Sequence, residues 1–367
     1  MIVALLGYGV VGKGVFELLK NNTSNIKVKY LFLRDESKAN GLDTIVTTNF
    51  DQILQDDSVD TVIELIGGKT DAYTYVTKSL KAGKHVVTAN KALISECFEE
   101  LTNLAKLNHV TLLYEASVGG GIIVLDPLKA KSITNKVKRI EGIVNGSTNY
   151  ILSKIFLDDY HIDNALEEAR NLGYIETGSN DDMDGLDLLR KINILSMIAY
   201  HQYIQEEDII RISLSDITEE FYSYVKSKGF QMKYIATSIR TDNQIQIHLE
   251  PVILGSDSVY SRIHYEENLV QVHYEPQEKE SFQGIGAGRY PTASAVVYDL
   301  QQILEDNNDA ISYVNHCDIN NGLERYHFLI QKNNQFIKTK LLSFEELLQD
   351  NDILAVARID ESILEQL

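Results

Sequence analysis

Along the first 125 positions, short continuous apolar runs alternate with amphipathic stretches of helical period. The runs at Ile2–Leu6, 27–33, 59–66, His85–Thr88 and 110–115 read as strands. Residues 10–20, 73–82 and 97–108 read as helices. The run at 27–33 begins by alternating and ends fully apolar, as a strand entering a core does. Strands separated by helices of this length predict βαβ units and a parallel sheet.

Beyond residue 125 the rhythm changes. A strand-like segment at 137–144 leads into helices at 149–156, 162–172 and 186–201. Strands at 232–239, 245–253, 259–264 and 269–275 follow with short connections. Connections this short predict an α+β domain with a mainly antiparallel sheet. Residues 290–304 are again helical and apolar, and the last sixty positions hold strands at 326–331 and 353–359 and a helix at 343–349.

The chain has 367 residues, enough for roughly two domains. Its 34 Lys and Arg stand against 53 Asp and Glu, a formal charge of −19. A mean field of that sign repels phosphate, which argues against nucleic acid or an anionic membrane face as partner. No apolar run reaches the ~18 residues of a membrane span. The N-terminus has no basic region ahead of its apolar run, so it reads as a strand and not a signal peptide. Cys97 and Cys317, too few for a disulfide framework, read as incidental thiols of a reducing compartment, which makes the cytoplasm the expected location.

Gly7-Tyr8-Gly9-Val10-Val11-Gly12 follows the first strand directly and opens the first helix. The first glycine permits a tight turn, the second lets backbone approach a pyrophosphate, and the third lets helix pack on sheet. With strand before and helix after, a dinucleotide site is the better reading than a plain glycine turn. About 20 residues on, the second strand ends in Arg34-Asp35, with Lys38 nearby. An acid there suits a ribose hydroxyl and an arginine suits a 2′-phosphate, so the pair favours NADP while leaving NAD open.

Three further segments carry candidate chemistry. Lys91 stands just past the end of the His85–Thr88 strand, where ligands bind in open parallel sheets. Glu115-Ala116-Ser117-Val118-Gly119-Gly120-Gly121 offers one carboxylate and bare carbonyls, either an oxygen site for a hard cation or a hinge. The glycine loop 284–288, which includes Gly286, runs into a helix and is either an anion-facing turn or an inert one.

The densest constellation is Glu176, Asp181, Asp182, Asp184 and Asp187, followed by Lys191. The start of this run resembles a calcium-binding EF-hand loop, but the twelfth position is Lys191 where a glutamate is required. A solvated acidic loop at a helix head is the bland alternative. Against it, Asp187 and Lys191 stand at i and i+4 on one face of an otherwise apolar helix. A lysine kept charged by a carboxylate can polarise a carbonyl and protonate a developing alkoxide. The remaining acids suit a substrate ammonium.

Taken together, residues 7–12, 83–93, 115–121, 142–150, 173–191 and 284–300 resemble the homoserine dehydrogenases, in that family's order. Residues 145–150 and the spacing of Gly173, Glu176, Asp187 and Lys191 are the specific parts. The resemblance covers residues 1 to about 304 and implies reversible NAD(P)H-dependent reduction of L-aspartate 4-semialdehyde to L-homoserine. It implies Lys191 as proton donor, Lys91 as its partner near cofactor and substrate, and Glu176, Asp182 and Asp187 as groups that hold the substrate amine and orient the lysine. Glu115 with the main-chain oxygens of Val118, Gly120 and Ile122 matches a sodium-type site. Gly7, Gly9, Val10, Val11, Gly12, Arg34, Lys91 and Gly286 are the expected cofactor contacts, and a homodimer through the second sheet is the expected assembly.

The implied layout is a Rossmann-type dinucleotide domain over 1–125 and a substrate and dimerisation domain over 126–285. A helix at 286–304 returns to the first domain. Residues 305–367 form an extension, either a truncated ACT-like unit or a dimer support. One departure stands out: Gly178-Ser179 occupies the place of the family's Asp-Pro pair. It keeps open a related dehydrogenase of another amino-acid-derived aldehyde or ketone; the other alternative, a catalytically quiet nucleotide-binding paralogue, is opposed by the retention of Glu176, Asp182, Asp187, Lys191 and Lys91.

Overall fold

Val3 and Leu5 of the first strand point to one side of a six-stranded sheet, and Ala4 and Leu6 to the other; all four are fully buried. That two-sided burial is why the strand reads as one apolar run and not as an alternation. The computed structural model describes residues 1–21, 25–39, 41–175, 180–276, 278–305, 313, 318–333 and 335–367. Its contacts divide into two units, Met1–Pro127 with Ala287–Tyr313, and Leu128–Gly286 with Val314–Leu367.

In chain order the first unit holds β1 (Ile2–Leu6), α1 (Val10–Asn21), β2 (Lys27–Phe32), β3 (Ile45–Thr47), α2 (Phe50–Leu54), β4 (Thr61–Glu64), α3 (Thr70–Lys81), β5 (His85–Thr88), α4 (Lys91–Leu107) and β6 (Leu112–Leu113). The strands pair in parallel in the order β3-β2-β1-β4-β5-β6. The order reverses beside β1, the topological switch point at which such sheets take ligands. Later in the chain, the helix Arg289–Leu304 belongs to this unit, and its start lies so close to α1 that a Cβ on Gly14 would meet Arg289 O at 2.8 Å.

After α5 (Leu125–Ser132), the second unit contains β7 (Val137–Ile143), α6 (Gly146–Phe156), α7 (Ile162–Asn171), α8 (Leu186–Tyr200), β8 (Ile210–Arg211), α9 (Glu219–Ser227), β9 (Gln231–Thr241), β10 (Gln244–Leu254), β11 (Glu267–Tyr274) and β12 (Glu278–Ile285). The returning helix of the first unit is α10 (Arg289–Leu304), and β13 (Asp318–Ile319), β14 (Phe328–Lys332), β15 (Gln335–Lys338), α11 (Phe344–Leu348) and β16 (Ala355–Ile359) complete the second. Its ten strands run β12-β11-β7-β9-β10-β16-β14-β15, with β8 and β13 beside β10. Pairing is mainly antiparallel, the exceptions being the parallel contacts of β10 with β8, β13 and β16.

Of the extension expected over 305–367, residues 318–367 carry β13, β14, β15 and β16 of this sheet. Arg358 of β16 pairs in register with Val252 of β10, and Phe328 and Phe344 are fully buried in one cluster with Ile210 and Ile212. Truncating either phenylalanine to alanine costs about 3–5 kcal/mol. Arg358 Nε donates to Glu250 at 2.7 Å, and His248 Nδ1 lies 2.5 Å from the same carboxylate. Burial pushes the Glu250 carboxyl up, but His248 and Arg358 outweigh it and hold the group below its ordinary value.

Two other expectations change. Residues 259–264 form no strand; Tyr260–Arg262 is a 3₁₀ turn that sets Tyr260 and Ile263 into the cluster of Ile143, Ile235 and Leu269. Residues three apart share a face in a 3₁₀ turn, and a short apolar run looks the same either way. The strand β12 lacks an apolar signature because it is an edge strand with exposed positions along its length.

Candidate functional site

Gly185 precedes α8 in the left-handed region, at φ 81°. A Cβ there would lie 2.1 Å from Tyr234 Oη and 2.6 Å from a Leu249 methyl, so only glycine lets this turn sit down on the sheet. The turn fixes Asp187 in the first turn of α8 and Lys191 one turn later. Both are buried. Lys191 Nζ lies 2.8 Å from Asp187 Oδ2 and donates to Val144 O at 2.7 Å.

Val144 and Asn145 leave the end of β7, and Asn145 caps α6. Its Oδ1 accepts from the Thr148 N–H at 2.7 Å and the Thr148 hydroxyl at 2.9 Å. Its Nδ2 donates to Asp182 Oδ1 at 2.6 Å and Asp187 Oδ2 at 2.8 Å. One amide therefore ties the acidic turn to the lysine's carboxylate. A buried ion pair is costly unless its remaining lone pairs are satisfied, and Asn145 does part of that here.

Of the acids singled out in sequence, Asp182 and Asp187 thus meet at Asn145. Asp184 turns to Ser215, whose hydroxyl donates to it at 2.6 Å. Asp181 uses its carbonyl to accept the Leu186 N–H at 2.8 Å. Glu176, with Gly178 and Ser179, lies outside the described residues. The contribution of Asn145 and of the Val144 carbonyl is non-local; its sequence signals were the 145–150 segment of the family resemblance and an asparagine at a strand-to-helix junction, a preferred cap.

Beneath α6 lies another buried lysine of the second unit, one that sequence reasoning missed. Lys233 of β9 is 1% exposed and donates to Asn149 Oδ1 at 2.8 Å and Ile263 O at 2.6 Å. Burial pulls its ammonium down to about 7, against a smaller opposing effect of Glu267.

The first unit carries its own candidate groups. A Cβ on Gly7, at φ 98°, would meet Leu65 O at 2.6 Å, and one on Gly12 would meet Gly7 O at 2.3 Å. Gly9 has nothing within 4 Å of its Cβ direction, and Val10 beside it is 67% exposed. The glycines at 7 and 12 are thus demanded by the fold, while Gly9 leaves backbone open at a helix N-terminus, as a dinucleotide phosphate requires. Val11 is partly buried in the first turn of α1.

Arg34 extends from the end of β2, largely exposed and paired with Asp71, whereas Asp35 accepts from the Ser37 hydroxyl at 2.6 Å. Lys91 opens α4 behind its cap Asn90. Glu64 and Thr88 brace that position: the Thr88 hydroxyl donates to Glu64 at 2.6 Å and accepts from the Asn90 N–H at 3.0 Å. Gly286 belongs to the second unit, where a Cβ would overlap Asn268 Nδ2 at 2.0 Å.

Glu115 is 3% exposed and accepts from the backbone N–H groups of Val124 at 2.6 Å, Leu125 at 2.8 Å and Asp126 at 2.8 Å. Burial nevertheless pushes its carboxyl up to about 7. Asp299 accepts the Glu115 N–H at 2.9 Å, and burial together with the Glu115 charge raises it well above the carboxylate range. Among the described residues no main-chain donor reaches the carbonyls of Val118, Gly120 or Ile122. Also among them, no group of three or more His, Cys, Asp or Glu gathers as a metal site, and no helix is long and apolar enough to cross a membrane. Cys97 is partly buried, and Cys317 lies outside the described residues.

Comparison with known proteins gives two family matches. The homoserine dehydrogenase model matches residues 124–301, and the model of the homoserine dehydrogenase NAD binding domain matches residues 7–115. The homoserine dehydrogenase of Bacillus subtilis is 34% identical over 315 residues, covering 83% of this chain and 73% of its own. That of Synechocystis is 32% identical, with 86% and 77% covered. The crystal structure of a homoserine dehydrogenase from Thiobacillus denitrificans superposes with a TM-score of 0.88 at 26% identity, covering 98% of each chain.

Proposed function

The chain belongs to the homoserine dehydrogenase family, and we propose that Lys191 is the residue that moves the proton in the family's reaction. That reaction is the NAD(P)-dependent interconversion of L-aspartate 4-semialdehyde and L-homoserine, on the route to threonine and methionine. The observation that carries the proposal is the buried Lys191 ammonium, set between Asp187 Oδ2 and Val144 O. Those two acceptors orient two of its three N–H bonds, and the third is the one offered to the substrate oxygen. As negative charge grows on that oxygen, an ammonium held in a dry site stabilises it and then gives up its proton. In the reverse direction Nζ takes the hydroxyl proton back. Asp187 orients the lysine, and Asp182 and Glu176 bind the substrate ammonium.

Gly7, Gly9, Val10, Val11 and Gly12 would hold the dinucleotide phosphates, with Lys91 near the reactive end; when bound, the nicotinamide supplies the hydride. Arg34 favours NADPH, because an exposed guanidinium at the end of β2 can exchange Asp71 for a 2′-phosphate, while Asp35 is engaged with Ser37. Glu115 with the carbonyls of Val118, Gly120 and Ile122 suits a monovalent cation such as sodium: among the described residues no cationic side chain pairs with the buried acids Glu115 and Asp299, and such an ion would supply the counter-charge. We read the assembly as a homodimer, supported by the open edge strand β12, and the location as the cytoplasm.

The test is NADPH or NADH oxidation with aspartate semialdehyde, for the wild type and Lys191→Met. Turnover should fall at least about a hundredfold in the variant with NADPH affinity unchanged. Equal rates in the two proteins would remove Lys191 from the chemistry, and a preference for NADH would remove the role given to Arg34.

A further inference from the structure

Away from Lys191, the ends of β7, β9 and β11 and the segment at 324 enclose a cleft of about 360 Å³ in the second unit. It is lined by Lys136, Lys138, Arg139, Arg240 and His273 and by the acids Asp242, Glu275 and Glu324. In a chain of net charge −19, four cationic side chains converge on this one cavity.

Their existing partners leave capacity for a ligand. Lys138 meets Glu275 at 2.7 Å and Lys136 meets it at 3.8 Å, but these side chains are 39–53% exposed. Surface pairs of that kind contribute little and exchange readily. Arg240 has no acid within ion-pair distance among the described residues; its Nε donates to Asp242 O at 3.2 Å, and its guanidinium lies 5.8 Å from the Tyr200 ring centre. Arg139 and His273 are cross-strand neighbours in the β7–β11 register. Arg139 spends its terminal nitrogens on Glu141 and Glu324, yet among the described residues its Nε is buried without a partner, and so is His273 Nε2. Buried polar atoms without partners are rare and call for an explanation. Both residues line the cleft beside Arg240, so an anion drawn into it would offer these groups a partner after a small side-chain shift.

We propose that this cleft binds a small anion bearing phosphate or carboxylate groups, held by Arg240 and Lys138 at its mouth and by Arg139 and His273 at its wall. The volume suits a metabolite and not a macromolecule. Arg240 also links the cleft to the C-terminal residue of α8, the helix that carries Lys191, through the Tyr200 ring and a long 3.5 Å contact to Tyr200 O.

Calorimetric titration of the full chain tests this, with pyrophosphate in one arm and citrate in the other. NADP⁺ is kept saturating, so that its own phosphate site is filled, and ionic strength is held constant. The expected result is saturable binding of at least one probe, weakened about tenfold or more by Arg240→Gln and by Lys138→Gln; the tighter arm identifies phosphate or carboxylate. Lys138 is a surface residue, so its variant folds whatever becomes of Arg240→Gln. Unchanged homoserine turnover in that variant, with binding lost, separates this cleft from the catalytic lysine. Absence of saturable binding in both arms overturns the proposal, as does binding that neither variant weakens.

Discussion

Asn145 and Lys191 donate to the same oxygen of Asp187, each at 2.8 Å. The lysine lies four residues from that carboxylate on one helix, and the asparagine 42 residues away at the head of another. The aspartate is thus fixed from two directions, and its orientation toward the lysine depends on both.

Asn145→Ala should therefore lower kcat by about tenfold or more, at a stability cost of about 1 kcal/mol for the lost cap. Asn145→Asp retains the cap but sets a third carboxylate against Asp182 and Asp187, and should lower kcat further. Steady-state kinetics with urea unfolding of the same samples checks both. A loss of stability without a loss of kcat would make Asn145 only a cap.

Gly185→Ala should destabilise the second unit by at least about 2 kcal/mol, since it combines a left-handed φ with overpacking against Tyr234. Thermal unfolding measures it. Tyr234→Phe in the same background should recover only part of the loss, because the Leu249 contact and the backbone strain remain.

Lys233 makes stability depend on pH in an unusual window. Its folded value, about 7, lies below the ordinary lysine value, so between the two the unfolded chain holds a proton that the native protein has released. Stability then rises with pH through that window and is lowest, for this group, below pH 7. Relative to Lys233→Met, the wild type should gain about 2 kcal/mol between roughly pH 8 and 9.5, read by urea unfolding at each pH. A difference that does not move with pH would mean that the buried ammonium stays charged.

The cation assignment predicts that sodium raises the melting temperature above that in tetramethylammonium at matched ionic strength. Glu115→Gln should abolish the difference. An equal response in the variant would return the 115–122 segment to a purely structural role.

Patterns that depend on neighbours in sequence were legible beforehand. The glycine fingerprint, the alternation of strands and helices in the first unit, and the i, i+4 spacing of Asp187 and Lys191 all arise within a turn or two of chain. The strand at β12 was not legible, because an edge strand exposes polar positions that read as loop. Nor was the turn at 260–262, because Tyr260 and the following Ile263 fit a strand or a 3₁₀ turn equally well.

The sequence by itself determined the family, the sheet types and the placing of Asp187 and Lys191 on one face of a helix. Their chemistry rests on residue type and on a helical repeat that the backbone imposes locally. Only the tertiary structure decided that Asn145 and the Val144 carbonyl hold that pair, that Asp184 faces Ser215 instead, and that the last fifty residues complete the sheet. Those contacts join segments far apart in the chain, and partners at that separation are chosen by how strands register and helices pack, which periodicity along one segment does not encode.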